Sequence, residues 1–312
     1  MHDLIIVGAG PAGITAAVYA ARKTTKTLVL SKDVGGQAAQ SWDIENYTGY
    51  QFITGPELAK KLEEHLKNPN IESKIGKAHE VVSIVKAGDG FKVKTTEAEH
   101  DGRTVIVASG RKPRRLNAPG ESEFKNRGVT YCATCDGPLF AGKDVAIIGG
   151  GNSALDAAMQ MIPLARRIYM IDMADHIIGD TVILEKVRAA PNVQIMSRTK
   201  VREIVGSRFV QGIKVSEVGG DARTIPVEGV FIEIGSMPAN EPGCDVSFNE
   251  RGEIKVNERC ETNVPGLFAA GDVTNVPEKQ IIVAAGQGCI ASLSAFRYIS
   301  RQNNKEVGHN DE

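Results

Sequence analysis

Cys132 and Cys135 stand three residues apart in YCATCDG, residues 131–137, of a 312-residue chain with only five cysteines. Thiols at that spacing can clamp a metal, staple a loop or carry an electron pair. A metal site needs two more ligands at suitable spacing. Cys244, Cys260 and Cys289 are solitary and no paired histidine follows, so no metal is expected. One CxxC in so long a chain is not the disulfide framework of a small secreted domain. A redox dithiol is the favoured reading. At the start of a helix the dipole lowers a thiol pKa and makes a better nucleophile. Asp136, directly after the pair, is either a proton carrier or a plain acid at a helix start.

A dithiol needs a source of electrons, and two glycine turns suggest one. DLIIVGAGPAGITAAVYAARK, residues 3–23, is an apolar run, then glycines, then an alanine-rich helical pattern. In Gly8-Ala9-Gly10-Pro11-Ala12-Gly13 the first glycine permits a tight turn and the second lets the backbone approach a pyrophosphate. The third lets helix and strand pack, with the helix N-terminus facing the phosphates. The turn is read as an FAD site. The acid expected about 20 residues on is missing; the strand is read as ending in Ser31-Lys32, which leaves the ribose to Ser31 or to backbone. Asp272, in AAGDV, is either an acceptor for a ribityl hydroxyl or a plain turn residue.

The second turn, Gly149-Gly150-Gly151-Asn152-Ser153-Ala154, fits GxGxxA, and the following strand ends at Asp172, 21 residues after Gly151. An acid there suits the free ribose hydroxyls of NAD and repels the 2′-phosphate of NADP. Met173 and Ala174 bring no arginine, and Arg166 and Arg167 lie at the other end of the strand. NADH is therefore expected before NADPH. The competing reading is a domain that no longer takes a pyridine nucleotide.

The elements that position these residues form two nucleotide folds. TLVLS (27–31) follows the first helix and RIYMID (167–172) the second; GPELAKKLEEHLK (55–67) reads as a helix, EVVSIV and FKVKTT as an antiparallel meander, and RTVIVASG (103–110) as a buried strand. The basic, proline-rich stretch 111–121 reads as a linker, residues 266–300 as strand, turn and long helix, and the last ten residues as frayed. The expected fold is α/β: two Rossmann-like domains of the three-layer ββα type, with an FAD domain (1–114 and 245–312) interrupted by an inserted NAD domain (115–244) that carries the CxxC. A net charge of −1 gives no pointer to nucleic acid or an acidic membrane surface. With no basic leader and no apolar run read as long enough to span a bilayer, a soluble cytoplasmic protein is expected.

GAGPAG, GGQ (35–37), IENYTG (44–49), CATCDG, GGGNSA and AAGD, in that order, resemble the low-molecular-weight thioredoxin reductases over essentially the whole chain. Within that family, CDGPLF (135–140), CETNVPGLFAAGD (260–272) and KQIIVAAGQG (279–288) are similar to the flavoprotein subunit of alkyl hydroperoxide reductase. That flavoprotein has an N-terminal dithiol domain for which this sequence shows no counterpart, so a separate dithiol protein is expected as acceptor. The resemblance implies that Cys135 lies nearest the flavin as the charge-transfer thiolate, that Cys132 attacks the partner disulfide and that Asp136 shuttles protons. It implies FAD contacts at Gly36, Gln37, Asn46, Val82, Gly110, Gly271, Asp272, Lys279, Gln280 and Ile281, besides Gly8 to Gly13 and Ser31. Gly149, Gly151 to Ala154, Asp172 and Gly235 would hold the nicotinamide nucleotide. The family carries His-Arg-Arg where this chain has Asp172-Met173-Ala174, in keeping with NADH. It implies a homodimer whose domains rotate about the linker and a return crossing near 241–247. The expected function is a flavoprotein disulfide reductase passing electrons from NADH through FAD and Cys132–Cys135 to thioredoxin or a thioredoxin-like protein. The alternatives are the same reductase fed by ferredoxin or a deazaflavin, a flavin dithiol oxidase using O2, and an FAD-bound redox sensor without turnover.

Overall fold

The apolar run at 4–7 is a strand covered on both faces, and the rest of its layer is arranged around it. In this computed structural model the described residues are 1–40, 44–217, 220–240 and 245–308, apart from the side chains of Cys135 and of 305–308. The chain opens β1 (His2–Ala9), α1 (Pro11–Ala21), β2 (Thr27–Val34), with β1 and β2 parallel. Helix α2 (Gly55–His65) starts at a reciprocal capping box between Thr54 and Glu57, with Pro56 in its first turn. Then come β3 (Ile71–Ile75), the meander β4 (Val81–Ala87), β5 (Gly90–Thr95) and β6 (Glu99–Val107), and the short β7 (Arg111–Pro113).

The inserted stretch holds β8 (Val129–Thr130), α3 (Ala133–Asp136), β9 (Asp144–Ile148), α4 (Asn152–Met161), β10 (Arg167–Ile171), α5 (Thr181–Ala189) and β11 (Val193–Met196). The antiparallel β12 (Thr199–Gly206), β13 (Val210–Glu217) and β14 (Ala222–Ile225) precede β15 (Gly229–Ile232) and β16 (Ser236–Pro238). The chain closes with β17 (Leu267–Ala269) and α6 (Ile281–Gly308). Helix continues through Gly308, farther than the frayed end expected from 303 onward.

Contacts divide the chain into Met1–Lys112 with Pro238–Glu312, and Pro113–Met237. The divisions fall before the 114/115 and 244/245 read from sequence. The reason is local: β7 and β16 pair as a two-stranded ribbon where the chain crosses. Ala239 N–H donates to the Gly110 carbonyl at 3.0 Å and Arg114 N–H to that of Gly235 at 2.9 Å. The stretch after Pro113 is fixed within the second unit rather than a free linker: the N–H groups of Leu116 and Asn117 donate to the buried Glu121 carboxylate. Residues 241–244 of the expected return crossing lie outside the described residues.

In the first unit the sheet order is β3-β2-β1-β6-β5-β4, with β17 also on β6. The later half of β6 pairs with β17 in parallel, while its first half pairs with β5. Side chains alternate across β1. Leu4 and Ile6 face a core shared with Ala16, Ala20, Ala291 and Ala295 of α1 and α6; Ile5 and Val7 face one shared with Leu28, Val93 and Val105. This double cover is why the strand reads as a continuous apolar run. In the second unit the order is β11-β10-β9-β15-β8, all parallel, beside a separate β12-β13-β14 sheet.

Ile281–Asn304 of α6, with a mean hydropathy of 1.2, is long and apolar enough to cross a membrane by length and composition only. Its small residues pack against α1 instead: a Cβ on Gly288 would come 2.1 Å from the Ala12 carbonyl oxygen.

Candidate active site

Both glycine turns follow one steric rule. Gly8 has φ +106, and a Cβ on it would lie 2.3 Å from the Ala108 carbonyl oxygen; Gly149 has φ +132, and its Cβ would lie 2.2 Å from that of Glu233. Gly13 admits no Cβ either, which would come 1.9 Å from the Gly8 carbonyl oxygen. The middle positions differ. On Gly10 the nearest atom to an added Cβ is 4.0 Å away, and on Gly151 likewise 4.0 Å. The protein leaves space over each, and each is an N-cap with no side-chain capping bond, so no side chain caps the starts of α1 and α4. Free N–H donors under a backbone that tolerates close approach suit a pyrophosphate. Pro11 needs no N–H there, and Ala12 and Ala154 are buried against their own units.

Around the first turn, Gly36 (φ +54) lies over the Gly10 Cα, 3.6 Å from an added Cβ, and Gly35 N–H donates to the Ala9 carbonyl at 2.8 Å. The Gln37 amide donates to the Arg111 carbonyl at 3.3 Å, and Asn46 donates to Gln280 at 3.2 Å, which brings two expected flavin ligands together. Gly110 (φ +67) faces open space. Lys279, just before Ile281 opens α6, donates to the Thr274 carbonyl at 2.6 Å and pairs with Glu253 at 3.0 Å. Arg111 reaches the same carboxylate at 3.1 Å. Burial pushes the Glu253 carboxyl up, but bonds from Asn249, Lys279 and Arg111 outweigh it and hold the group below its ordinary range. Burial raises Asp272 in the neighbouring turn, with Lys279 and Arg111 opposing. Gly271 N–H is held by Gln287 at 2.8 Å.

Ser31 and Val82 lie on β2 and β4, and β2 is longer than the sequence reading. The strand does not end at Ser31-Lys32: β2 runs to Val34, with an irregularity between the Val7–Leu30 and Ala9–Val34 pairs. The Ser31 hydroxyl donates to the Asp33 carbonyl at 2.7 Å, and burial raises the Asp33 carboxyl, which the sequence reading passed over. Val82 is 46% exposed, at the register shift between Val81 and Ser83 on β4.

Around the second turn, Asp172 accepts from Ala174 N–H at 2.7 Å, and its carboxylate leaves no room for a Cβ on Gly150, at 2.8 Å. Asn152 accepts from Asp180 N–H at 2.8 Å and Ile178 N–H donates to the Gly150 carbonyl at 2.9 Å, so the 173–180 loop is tied to the turn. Ser153 is exposed at the start of α4, and Gly235 (φ +87) faces open space.

Cys132 is disulfide-bonded, while Cys260 and Cys289 are free. The Cys135 side chain lies outside the described residues. The helix after Cys132 is one turn, Ala133–Asp136, continued by a tighter turn over Gly137–Phe140. A single turn sums few peptide dipoles, so the helix-dipole argument carries little here. Thr130 does the positioning: its hydroxyl accepts from Cys132 N–H at 3.2 Å and donates to the Asp136 carboxylate in a short bond. The Tyr131 hydroxyl donates to Glu121, and the Thr134 hydroxyl donates to the buried Gln160 at 2.8 Å. No cluster of metal-ligating side chains occurs among the described residues.

The profile of the pyridine nucleotide-disulphide oxidoreductase family matches residues 2–288. This chain belongs to that family. It is 41% identical over 305 residues to the F subunit of alkyl hydroperoxide reductase from Xanthomonas campestris pv. phaseoli, covering 96% of this chain and 57% of that protein. It is 40% identical over 308 residues to a Bacillus subtilis protein named NADH dehydrogenase, covering 96% of this chain and 59% of that one. The chain thus spans less than three-fifths of these relatives. Lactococcus lactis thioredoxin reductase superposes with a TM-score of 0.89 at 34% identity, over 96% of this chain and all of that one.

Membership of the disulphide oxidoreductases implies FAD and a pyridine nucleotide, and the two cradles over Gly10 and Gly151 fit two dinucleotides. Several supporting residues had no signal in sequence: Gln160, Glu253 and Gln287 act through side-chain contacts between segments distant in the chain, and Thr130 through local bonds to Cys132 and Asp136. Gly150 was visible in the motif, but its reason, clearance for Asp172, needs the fold.

Proposed function

We propose that this chain is an NADH-preferring flavoprotein disulfide reductase in which Cys132 and Cys135 form the redox disulfide and a thioredoxin or thioredoxin-like dithiol protein is the acceptor. The disulfide at Cys132, set in a turn pinned by Thr130, is the observation that carries this reading. FAD, held by the first unit, supplies the two-electron link between a hydride donor and thiols. Gly149 to Ala154 and Asp172 hold the nicotinamide nucleotide, and Asp172 disfavours a 2′-phosphate by like charge. Two electrons and two protons convert the Cys132–Cys135 disulfide to a dithiol, and Asp136 moves one of those protons. The Cys132 thiolate then attacks the partner disulfide; Cys135 displaces the mixed disulfide, releasing the partner as a dithiol and restoring the bond. The net reaction is NADH + H⁺ + partner disulfide → NAD⁺ + partner dithiol. The likeness to the alkyl hydroperoxide reductase flavoproteins favours, as a second acceptor, a separate dithiol protein of a peroxide-reducing system. The reading includes a soluble cytoplasmic homodimer, by family resemblance.

Anaerobic titration of the purified yellow protein tests it, with flavin bleaching followed under NADH and, separately, NADPH, then a coupled assay with an oxidised thioredoxin. Rapid bleaching by NADH and turnover with the disulfide protein are expected. Bleaching by neither nucleotide, or turnover independent of Cys132, overturns it; reduced ferredoxin or deazaflavin is then the donor to try.

A further inference from the structure

In the second sheet, β10 and β15 flank β9 on opposite sides, and the chain order reverses there. A dinucleotide at such a switch point lies across the carboxyl ends of the strands, with one nucleoside on either side of the glycine turn. On the β10 side stands Asp172, next after Ile171. On the β15 side, next after Ile232, stands Glu233. Its N–H donates to the Ile148 carbonyl at 2.8 Å, and its own carbonyl is the atom that forbids a Cβ on Gly149. Glu233 is thus built against the glycine turn, opposite the ribose acid.

The Glu233 side chain is only partly accessible, and no hydrogen bond reaches its carboxyl among the described residues. Burial, with a lesser push from Asp156 on α4, raises its pKa to about 8. The neighbouring strands offer no compensating charge: β9 ends in Ile147 and Ile148, with Gly149 after it, β8 is Val129 and Thr130, and Lys214 of β13 is held by Glu203 at 2.7 Å. A carboxyl without a hydrogen-bond partner, on a residue whose backbone packs against the glycine turn, is a group left for the ligand.

We propose that Glu233 is the nicotinamide-ring residue of the nucleotide site, neutral beside the reduced ring and ionised beside the oxidised, cationic one. This rests on reading the second unit as the nicotinamide-nucleotide domain. A cation beside a carboxyl favours its ionised form. NAD⁺ binding therefore takes the proton off Glu233 and releases it to solvent: Glu233–COOH + NAD⁺ → Glu233–COO⁻·NAD⁺ + H⁺. NADH has a neutral ring and releases none. By linkage, NAD⁺ affinity rises about tenfold per pH unit below the free-site pKa and levels off above it, whereas NADH affinity does not rise.

The test is calorimetric titration of the oxidised, flavin-loaded protein with NAD⁺ in buffers of different ionisation enthalpy, repeated across neutral to alkaline pH. ADP-ribose, which lacks the nicotinamide ring, is the comparison ligand. Wild type should release most of one proton with NAD⁺ at about pH 7 and none with ADP-ribose. Glu233→Gln should still bind NAD⁺, without proton release and with a flat pH profile. Equal release with both ligands, or release unchanged in Glu233→Gln, overturns the role of Glu233 while leaving the nucleotide site standing. Failure of both ligands to bind overturns the nucleotide reading, and the role of Glu233 with it.

Discussion

Gly149 and Gly151 sit two residues apart in one turn, and the structure gives them opposite sensitivities to a methyl group. At Gly149, with φ +132, an alanine strains the backbone and sets its Cβ 2.2 Å from a carbonyl oxygen fixed at the end of β15. The strain alone costs about 1–3 kcal/mol, and the overlap adds to it, so Gly149→Ala should lose about 3 kcal/mol or more of stability. Gly151 has φ −97, ordinary for any residue, and its nearest obstacle is 4.0 Å away. Alanine there gains about 0.4–1 kcal/mol from a less disordered unfolded chain and loses a similar amount as a poor N-cap. Gly151→Ala should therefore stay within about 0.5 kcal/mol of wild type. Its methyl instead fills the space the reading assigns to pyrophosphate. Losing one hydrogen bond to a charged phosphate costs about 1.5–3 kcal/mol, or about 10- to 100-fold in affinity. Thermal unfolding and calorimetric titration with NAD⁺ separate the two effects. A Gly151→Ala variant with wild-type affinity refutes the placement of the phosphates. One as destabilised as Gly149→Ala refutes the claim that the space belongs to a ligand.

Cys132→Ser should remain yellow and stably folded while losing reduction of disulfide proteins; full activity ends the dithiol mechanism. Asp172→Ala with Met173→Arg and Ala174→Arg should move the kcat/KM ratio toward NADPH, and an unchanged ratio shows that Asp172 does not hold the ribose. Thr130→Val removes the hydroxyl shared by Cys132 N–H and Asp136; a disulfide-reductase rate lowered about tenfold with flavin content unchanged is expected, and a wild-type rate refutes the positioning role. Glu253→Gln leaves Arg111 and Lys279 without their buried counter-charge and should cost about 3 kcal/mol near neutral pH. Because the folded-state pKa of Glu253 is depressed, its contribution is present above the ordinary carboxyl range and is lost as pH falls through the folded value. The gap between wild type and variant in chemical unfolding should accordingly shrink in acid, and a gap constant with pH refutes the assignment.

The parts of the fold legible in sequence are those in which a local pattern has one physical cause. An apolar run ending in GxGxxG or GxGxxA reads as a covered strand entering a turn before a helix, and both runs are found so. Pro56 in its first turn likewise announces α2. What was not legible depends on partners far along the chain. The return crossing lies at Met237/Pro238 because the three-residue β16 pairs with β7, and a strand that short has no periodicity to read. The irregularity that carries β2 on to Val34 comes from pairing with β1, so Asp33 read as a loop residue. The CxxC was visible at once, while Thr130 and Gln160, which shape its turn, look like ordinary polar residues until the strand and helix around them are folded.

The two glycine turns also differ at one equivalent position along the chain, where only the second carries an acid. Val7 pairs with Leu30 as Ile148 pairs with Ile171, so Ser31 and Asp172 occupy the same structural position. Beside that position the first turn has Ala9, 1% exposed, and the second has Gly150, where a Cβ would lie 2.8 Å from the Asp172 carboxylate. Ala9 and Ser31 thus stand where the second turn has Gly150 and Asp172. The acid of β2, Asp33, stands two residues farther on, within the irregularity between the Val7–Leu30 and Ala9–Val34 pairs.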